Sequence, residues 1–179
     1  MNFNSQSDLL LNFMSSRINK DDQILIFGCG YDSRFWENYN STFVESSKEW
    51  IQKINPKGNV IHHIYNHSAS EHLDIDIKNI NIPDNIIDKE WNIVFVDAPL
   101  GGYETNKMST NTGTGRMGSI YTAHLCIREN NVIIVDDYNR IIERIWADKY
   151  IKPYYKYQKV LKDHENKEMA IFYNNDNFI

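Results

Sequence analysis

The sequence predicts an α/β fold: a mostly parallel sheet with helices on both faces, finished at its C-terminal end by an antiparallel hairpin. Three observations carry this. Ile24 to Phe27, Trp91 to Val96 and Val132 to Val135 are short, nearly all-apolar runs, as expected of strands buried on both faces of a parallel sheet. The segments between them space apolar residues at helical intervals, and strands alternating with helices build doubly wound sheets. Tyr154–Leu161 and Glu168–Tyr173 are two further strand-like runs joined only by Lys162 to Lys167, a link short enough for a hairpin, which makes the pair antiparallel.

With 179 residues the chain is expected to form a single domain, 1–179, with one continuous core. Its 19 basic and 24 acidic residues give a net charge of −5, which argues against a non-specific nucleic-acid binder. Cys29 and Cys126 show no Cys-x-x-Cys spacing, so neither a zinc site nor a disulfide framework is indicated and a reducing compartment is expected. No signal peptide or spanning segment is apparent, since Leu9-Leu10-Leu11 is preceded by Asp8 and broken at Asn12. The expectation is a cytoplasmic protein with no membrane partner.

In chain order, Leu9, Leu10, Phe13 and Met14 mark an amphipathic helix over Ser7–Ile18. The first strand, Gln23 to Phe27, runs into the turn Gly28-Cys29-Gly30-Tyr31-Asp32-Ser33. Asp32 to Tyr39 reads as a helix with Phe35, Trp36 and Tyr39 inward. Ser41–Glu45 is a second strand. A helix from Ser47 follows, with Trp50, Ile51 and Ile54 inward, stopped by Asn55-Pro56-Lys57-Gly58. Asn59–Tyr65 is a third strand whose His62 and His63 point to opposite faces and so cannot ligate one metal together. Asn66 to Asp88 carries no clear pattern. Trp91–Asp97 is the fourth strand, and Leu100–Thr114 a long polar loop of the kind that handles substrates. Gly115 to Ala123 opens a helix, Asn131–Asp137 is the fifth strand, and Arg140–Tyr150 a helix with Ile141, Ile142, Ile145 and Trp146 inward.

The glycine turn is where a cofactor is expected. Gly28 and Gly30 let backbone approach a ligand, while Asp32 and Ser33 offer oxygens to cap the next helix. The pyrophosphate fingerprint wants a third glycine near position 33, where Ser33 and Arg34 stand, so a dinucleotide is disfavoured. Glu45 ends the second strand, where an acidic residue accepts from ribose hydroxyls; the alternative is that it merely starts the helix at Ser46 or Ser47. A ribose clamp without a phosphate cradle suits S-adenosylmethionine, and Asn66 and Ser68, just past the third strand, are candidates for its adenine.

Ligands of open α/β sheets bind at the carboxyl ends of the strands. Glu45, Asp97, Asp136 and Asp137 all stand at such ends and are expected to converge on one crevice. The outline is that of a Rossmann-like seven-stranded methyltransferase sheet. Transfer of a methyl group to an alcohol requires a base, for which Asp97 is the first candidate, with Asp136 and Arg116 beside it. Alternatively, Asp97, Asp136 and Asp137 hold a divalent cation, magnesium or manganese, as in catechol-type enzymes. Arg116 and Arg34 are candidates to pair with an acceptor carboxylate.

These residues also carry a resemblance. Phe27-Gly28-Cys29-Gly30-Tyr31-Asp32-Ser33 with Trp36, Phe43-Val44-Glu45 with Trp50, Val96-Asp97-Ala98-Pro99, Gly115-Arg116-Met117 with Ile120-Tyr121-Thr122-Ala123, and Asp136-Asp137-Tyr138-Asn139-Arg140 with Glu143 together resemble the glucuronoxylan 4-O-methyltransferase family. The likeness runs from about Ile24 to about Ile145. It implies methylation, dependent on S-adenosylmethionine, of a hydroxyl on a sugar or glycan, often a uronic acid. By the resemblance, Gly28, Gly30 and Glu45 match the cofactor motif, and Asp97 and Arg116 the region facing the acceptor. The plant proteins carry a Golgi anchor and a shorter loop before Gly-Arg-Met, with Pro where Thr114 stands here. The acceptor is therefore left open among nucleotide sugars, glycans under assembly and other small hydroxyl compounds. A non-catalytic cofactor-binding subunit and a dehydrogenase-type nucleotide module are the readings from other classes.

Overall fold

The computed structural model describes residues 12–71, 73–97, 116–163 and 166–178. Seven strands form one sheet: β1 (Gln23–Phe27), β2 (Asn40–Glu45), β3 (Asn59–His62), β4 (Ile93–Val96), β5 (Val132–Val135), β6 (Tyr157–Lys162) and β7 (Glu168–Tyr173). Their order across the sheet is β3-β2-β1-β4-β5-β7-β6. The first five are parallel to one another, and β7 enters antiparallel between β5 and β6. The parallel core and C-terminal hairpin are those the sequence predicts.

Side chains alternate along a strand, so each all-apolar run feeds two layers. Leu25, Phe27, Val94, Val96, Ile133 and Val135 pack on one face with Ile120 and Ala123 of α3 (Met117–Leu125) and Ile142 and Trp146 of α4 (Ile141–Tyr150). On the other face Ile24, Ile26, Ile93, Phe95 and Ile134 pack with Met14, with Trp36 of α1 (Ser33–Trp36) and with Ile54 of α2 (Lys48–Ile54). Burying one such large apolar side chain contributes about 1.5–3 kcal/mol. Helix α2 begins and ends as its sequence dictates: Ser47 Oγ accepts the Trp50 N–H at 3.1 Å, and Asn55 takes the left-handed conformation (φ 48°) just before Pro56. Among the described residues no helix is long and apolar enough to cross a membrane.

β4 and β5 are trimmed at both ends, to Ile93–Val96 and Val132–Val135, and four other boundaries differ from expectation. Helix α1 stops at Trp36 rather than Tyr39, because the Asn38 amide donates to the carbonyls of Arg34 and Phe35 and so takes up its last turn. Strand β3 ends at His62 rather than Tyr65. His63 N–H donates the last rung to Glu45 O, after which the Asn81 amide takes the Ile64 carbonyl and draws the chain off the sheet. Strand β6 begins at Tyr157 rather than Tyr154, since Pro153 sits in a 3₁₀ turn over Lys152–Tyr154. Helix α3 begins at Met117. The start of the Ser7–Ile18 helix and the Leu100–Thr114 loop lie outside the described residues, while residues 12–15 are helical as expected.

Candidate active site

Strand register builds one rim. Beyond the last paired residues, Gly28 N–H donates to Val44 O (2.8 Å), Asp97 N–H to Phe27 O (3.0 Å) and Asp136 N–H to Val96 O (2.9 Å). Each bond carries the ladder one residue past a strand end, so the glycine turn and both aspartates emerge side by side. Glu45, at the end of β2, joins them on the same rim.

Gly28 takes φ 110°, a conformation that L side chains rarely adopt. Gly30 is constrained differently: a Cβ there would lie 2.3 Å from Asp32 Oδ1. Asp32 does not cap α1. Its carboxylate instead accepts the Trp36 indole N–H at 3.0 Å, and burial raises its pKa. Ser33, buried, accepts the Gly30 N–H at 3.1 Å and closes the turn. Glu45 Oε2 accepts the Cys29 N–H at 3.0 Å, while Oε1 accepts those of Ser46 (2.7 Å) and Ser47 (2.9 Å). One carboxylate thus ties the glycine turn to the entrance of α2, the helix-start role weighed for it together with a main-chain anchor for the turn. Trp50 of α2 donates its indole N–H to the Cys29 carbonyl, fixing the turn from its other side.

Arg116, just before α3, is 6% exposed and lies among four acids. Its Nη2 is 2.7 Å from Asp137 Oδ2 and 3.4 Å from Asp97 Oδ1, its Nη1 donates to the Asp136 carbonyl at 3.0 Å, and its Nε is 3.7 Å from Glu143 Oε1. Asp137 adopts φ 52° and thereby reaches both Arg116 and Arg140, the latter at 2.9 Å. Burial, the charge of Asp136 and a hydrogen bond between the two carboxyls hold Asp97 well above the usual carboxylate range, against the pull of Arg116. Asp136 is raised for the same first reason, then by Asp137. Asp97 and Asp136 therefore titrate as a pair, with a proton on Asp97 donated to Asp136. A third of the Asp97 side chain is exposed, so the pair can be reached from outside.

The three aspartates offer oxygens within 4.8 Å of one another, and such hard donors suit magnesium or manganese. Yet Asp137 is committed to two guanidinium groups, and Arg116 covers Asp97. The three-aspartate donor set does not fit a cation as it stands.

Among the described residues, the hydrogen bonds of Asn66 and Ser68 do not join them to this rim. Asn66 is exposed, its amide donating to the Asn79 carbonyl and its side-chain oxygen accepting the Asn81 N–H, and Ser68 pairs with Ser70. Period-two alternation continues past β3, turning Tyr65, His67 and Ala69 inward instead. Arg34 is 57% exposed beside Glu37, away from the acidic group. His62 and His63 are kept apart, on the carbonyls of Ser46 and Asn81. Sequence reasoning assigned no site role to Glu143, Arg140 or His67. For Glu143 the signals were its place in the family resemblance and its i+3 spacing from Arg140.

Among solved structures the fold falls in the Rossmann-like methyltransferase class. A methyltransferase from Pyrococcus furiosus superposes with a TM-score of 0.55 at 12% identity, covering 94% of this chain and 83% of that one. The chain belongs to the IRX15/IRX15L/GXM family, whose profile matches residues 61–162. It is similar to arabinogalactan O-methyltransferase 1 of Arabidopsis thaliana, 24% identical over 162 residues, spanning 71% of this chain and 54% of the relative. It is likewise similar to glucuronoxylan 4-O-methyltransferase 1 of the same plant, 26% identical over 170 residues, 73% of this chain and 54% of the relative. The chain thus spans about half the length of these relatives.

Proposed function

We propose that this chain is an S-adenosylmethionine-dependent O-methyltransferase acting on a sugar hydroxyl of a glycan. The family supports the reaction class, its relatives being named as O-methyltransferases of arabinogalactan and glucuronoxylan. The observation that carries the reading is the rim itself, where the Asp97–Asp136 pair stands one rung from the glycine turn. The cofactor would supply a methyl group on a cationic sulfur.

The chain's own residues then have defined tasks. Gly28 and Gly30 allow main chain to approach the cofactor, Asp32, Ser33 and Ser46 shape the turn around it, and Glu45 takes ribose hydroxyls on lone pairs not used by main-chain N–H groups. Four carboxyls (Asp97, Asp136, Asp137, Glu143) face two guanidiniums (Arg116, Arg140), leaving two negative charges, or one when Asp97 and Asp136 share a proton. That excess attracts a cationic donor. Asp97 takes the proton of the acceptor hydroxyl, and its raised pKa makes it a stronger base than an ordinary aspartate. Asp136 keeps Asp97 basic, and Arg116 holds the acids together. Alignment of oxygen, carbon and sulfur supplies much of the remaining acceleration.

The test is a panel of nucleotide sugars, free glycosides and oligosaccharides incubated with labelled methyl donor. Transfer to a sugar hydroxyl that Asp97→Ala abolishes, while S-adenosylhomocysteine affinity stays within a fewfold, is expected. Binding without turnover on any acceptor would point to a cofactor-binding subunit, and preference for NAD to a nucleotide module. A divalent-cation reading is favoured by the 4.8 Å cluster alone. Activity surviving excess chelator assigns the resident cation to Arg116, whereas loss restored by magnesium or manganese assigns the cluster to a metal.

A further inference from the structure

Glu143 stands in the first turn of α4 and is 1% exposed, the most deeply buried acid among the described residues. Its Oε1 stops 3.7 Å from Arg116 Nε and 3.8 Å from Arg140 Nη1, each too far for a hydrogen bond, and its Oε2 has no hydrogen-bond partner. Arg116 Nε is buried and likewise lacks an acceptor. Buried polar groups are ordinarily paired, so a donor and a carboxyl left facing each other call for a reason. The gap between them is only about 0.8 Å more than a charge-assisted hydrogen bond spans. Arg140 does not close it, being held on Asp137 at 2.9 Å.

The rest of the Arg116 guanidinium is unequally held. Nη1 donates to the Asp136 carbonyl at 3.0 Å and Nη2 to Asp137 at 2.7 Å, whereas the reach from Nη2 to Asp97 Oδ1 is 3.4 Å. The Asp97 contact is therefore the one that yields most easily. Asp97 is also the aspartate open to the outside, with 33% of its side chain exposed against 10% for Asp137. Asp97 is hydrogen-bonded to Asp136 and its Oδ1 lies under Arg116, so a hydroxyl arriving there meets Arg116 as a competitor. A guanidinium pushed off Asp97 inside a buried site needs another acceptor. Glu143 is the carboxyl within reach.

We propose that Glu143 is a positioning residue: it takes Arg116 Nε–H when the acceptor hydroxyl takes Asp97, so that the guanidinium withdraws from the base without leaving the site. This rests on the methyltransferase reading above. Asp137 and the Asp136 carbonyl keep their bonds and serve as the pivot, while closure of the 3.7 Å gap offsets loss of the 3.4 Å contact. The exchange uncovers an Asp97 oxygen at the moment the hydroxyl needs it.

The Nε–H resonance of Arg116 in the whole chain, assigned with Arg116→Lys, reads this exchange without any acceptor. Asp97→Ala removes the competing carboxyl, so the Nε proton is expected to move downfield and to exchange with solvent about tenfold more slowly, as one added hydrogen bond requires. Glu143→Met fills the same space without an oxygen, and on the Asp97→Ala background it should return the resonance to the parent's behaviour. Turnover tests the consequence on the acceptor that the panel above identifies. Glu143→Met is expected to lower kcat about tenfold with KM within a fewfold, whereas Glu143→Gln, which keeps an oxygen for Nε, should stay within about threefold of the parent. An Arg116 resonance that Asp97→Ala leaves unmoved, or equal kcat in the Gln and Met variants, overturns the inference alone. Should Glu143→Met not fold, the spectrum of Asp97→Ala against the parent decides by itself. A parent that binds no S-adenosylhomocysteine overturns the enzyme reading and this inference with it.

Discussion

Arg116 Nη2 lies 2.7 Å from Asp137 Oδ2, and the same nitrogen reaches Asp97 Oδ1 at 3.4 Å. A guanidinium therefore stands among the carboxylates that would otherwise hold a cation. Burial favours neutral Arg116, but Asp97, Asp137, Asp136 and Glu143 together outweigh it and hold the charge in place. Removing one partner of a buried ionic group leaves the others uncompensated, at a cost of about 3–5 kcal/mol. Arg116→Met is expected to lower the thermal midpoint by about 10 °C, at about 2–4 °C per kcal/mol for a chain of this size. The deficit should shrink at lower pH as the abandoned acids take up protons. Scanning calorimetry at pH 8 and pH 5.5 checks both, and an unchanged midpoint would mean that Arg116 is not the resident counter-charge.

The hydrogen-bonded Asp97–Asp136 pair sets a pH dependence. Asp97 is raised by burial and then by Asp136, so in the role of base proposed for it, it acts only as pH climbs past its elevated pKa. Asp136→Asn removes the like charge, which lowers the Asp97 pKa. The acid limb of kcat/KM against pH should move to lower pH, while the maximum rate falls because a weaker base remains. An acid limb that stays where it was would separate the catalytic titration from this pair.

The legibility of these features follows from their chemistry. Strands β1, β4 and β5 were readable because burial on both faces leaves an all-apolar run, and Asp97 and Asp136 because each directly follows such a run. Glu143 was not, since a charged residue in the first turn of an amphipathic helix is expected to face water; Arg116, arriving from a distant segment, joins Arg140 to make its burial tolerable. The inward turn of Tyr65, His67 and Ala69 was not legible because β3 ends at His62, three residues before the expected Tyr65, and the segment beyond it carries no clear pattern. The role of Asp137 depended on a left-handed backbone (φ 52°) that nothing in an all-apolar strand announces.

Glu45 offers a cleaner separation of binding from folding. Its carboxylate accepts three main-chain N–H bonds, from Cys29, Ser46 and Ser47. Charge-assisted bonds of this kind are roughly twice as strong as neutral ones. Glu45→Gln keeps the volume but puts a donor where an acceptor is needed, so the glycine turn loses its anchor and the proposed ribose contact loses an acceptor. S-adenosylhomocysteine affinity is expected to fall by about 10- to 100-fold, from one such bond at about 1.5–3 kcal/mol. Titration calorimetry decides it, and affinity retained within twofold would leave Glu45 as a purely structural tie.

His67 sets an acid dependence of stability. Burial, assisted by His63 and opposed by Glu71, lowers its pKa below the ordinary histidine value. Protonation removes the Nε2 lone pair that accepts the Gly118 N–H and places a positive charge at a helix N-terminus, which the macrodipole disfavours. Because the folded pKa lies below the unfolded one, the stabilisation is complete above about pH 6.5 and is lost as pH falls through the folded value. Gln cannot titrate and keeps the acceptor, so His67→Gln should match the parent in denaturant midpoint at pH 7.5. Toward pH 5 it should become the more stable of the two, once the other acids and histidines, common to both proteins, are subtracted. Parallel curves for parent and variant across that range would show that Gly118 is held without help from a neutral His67.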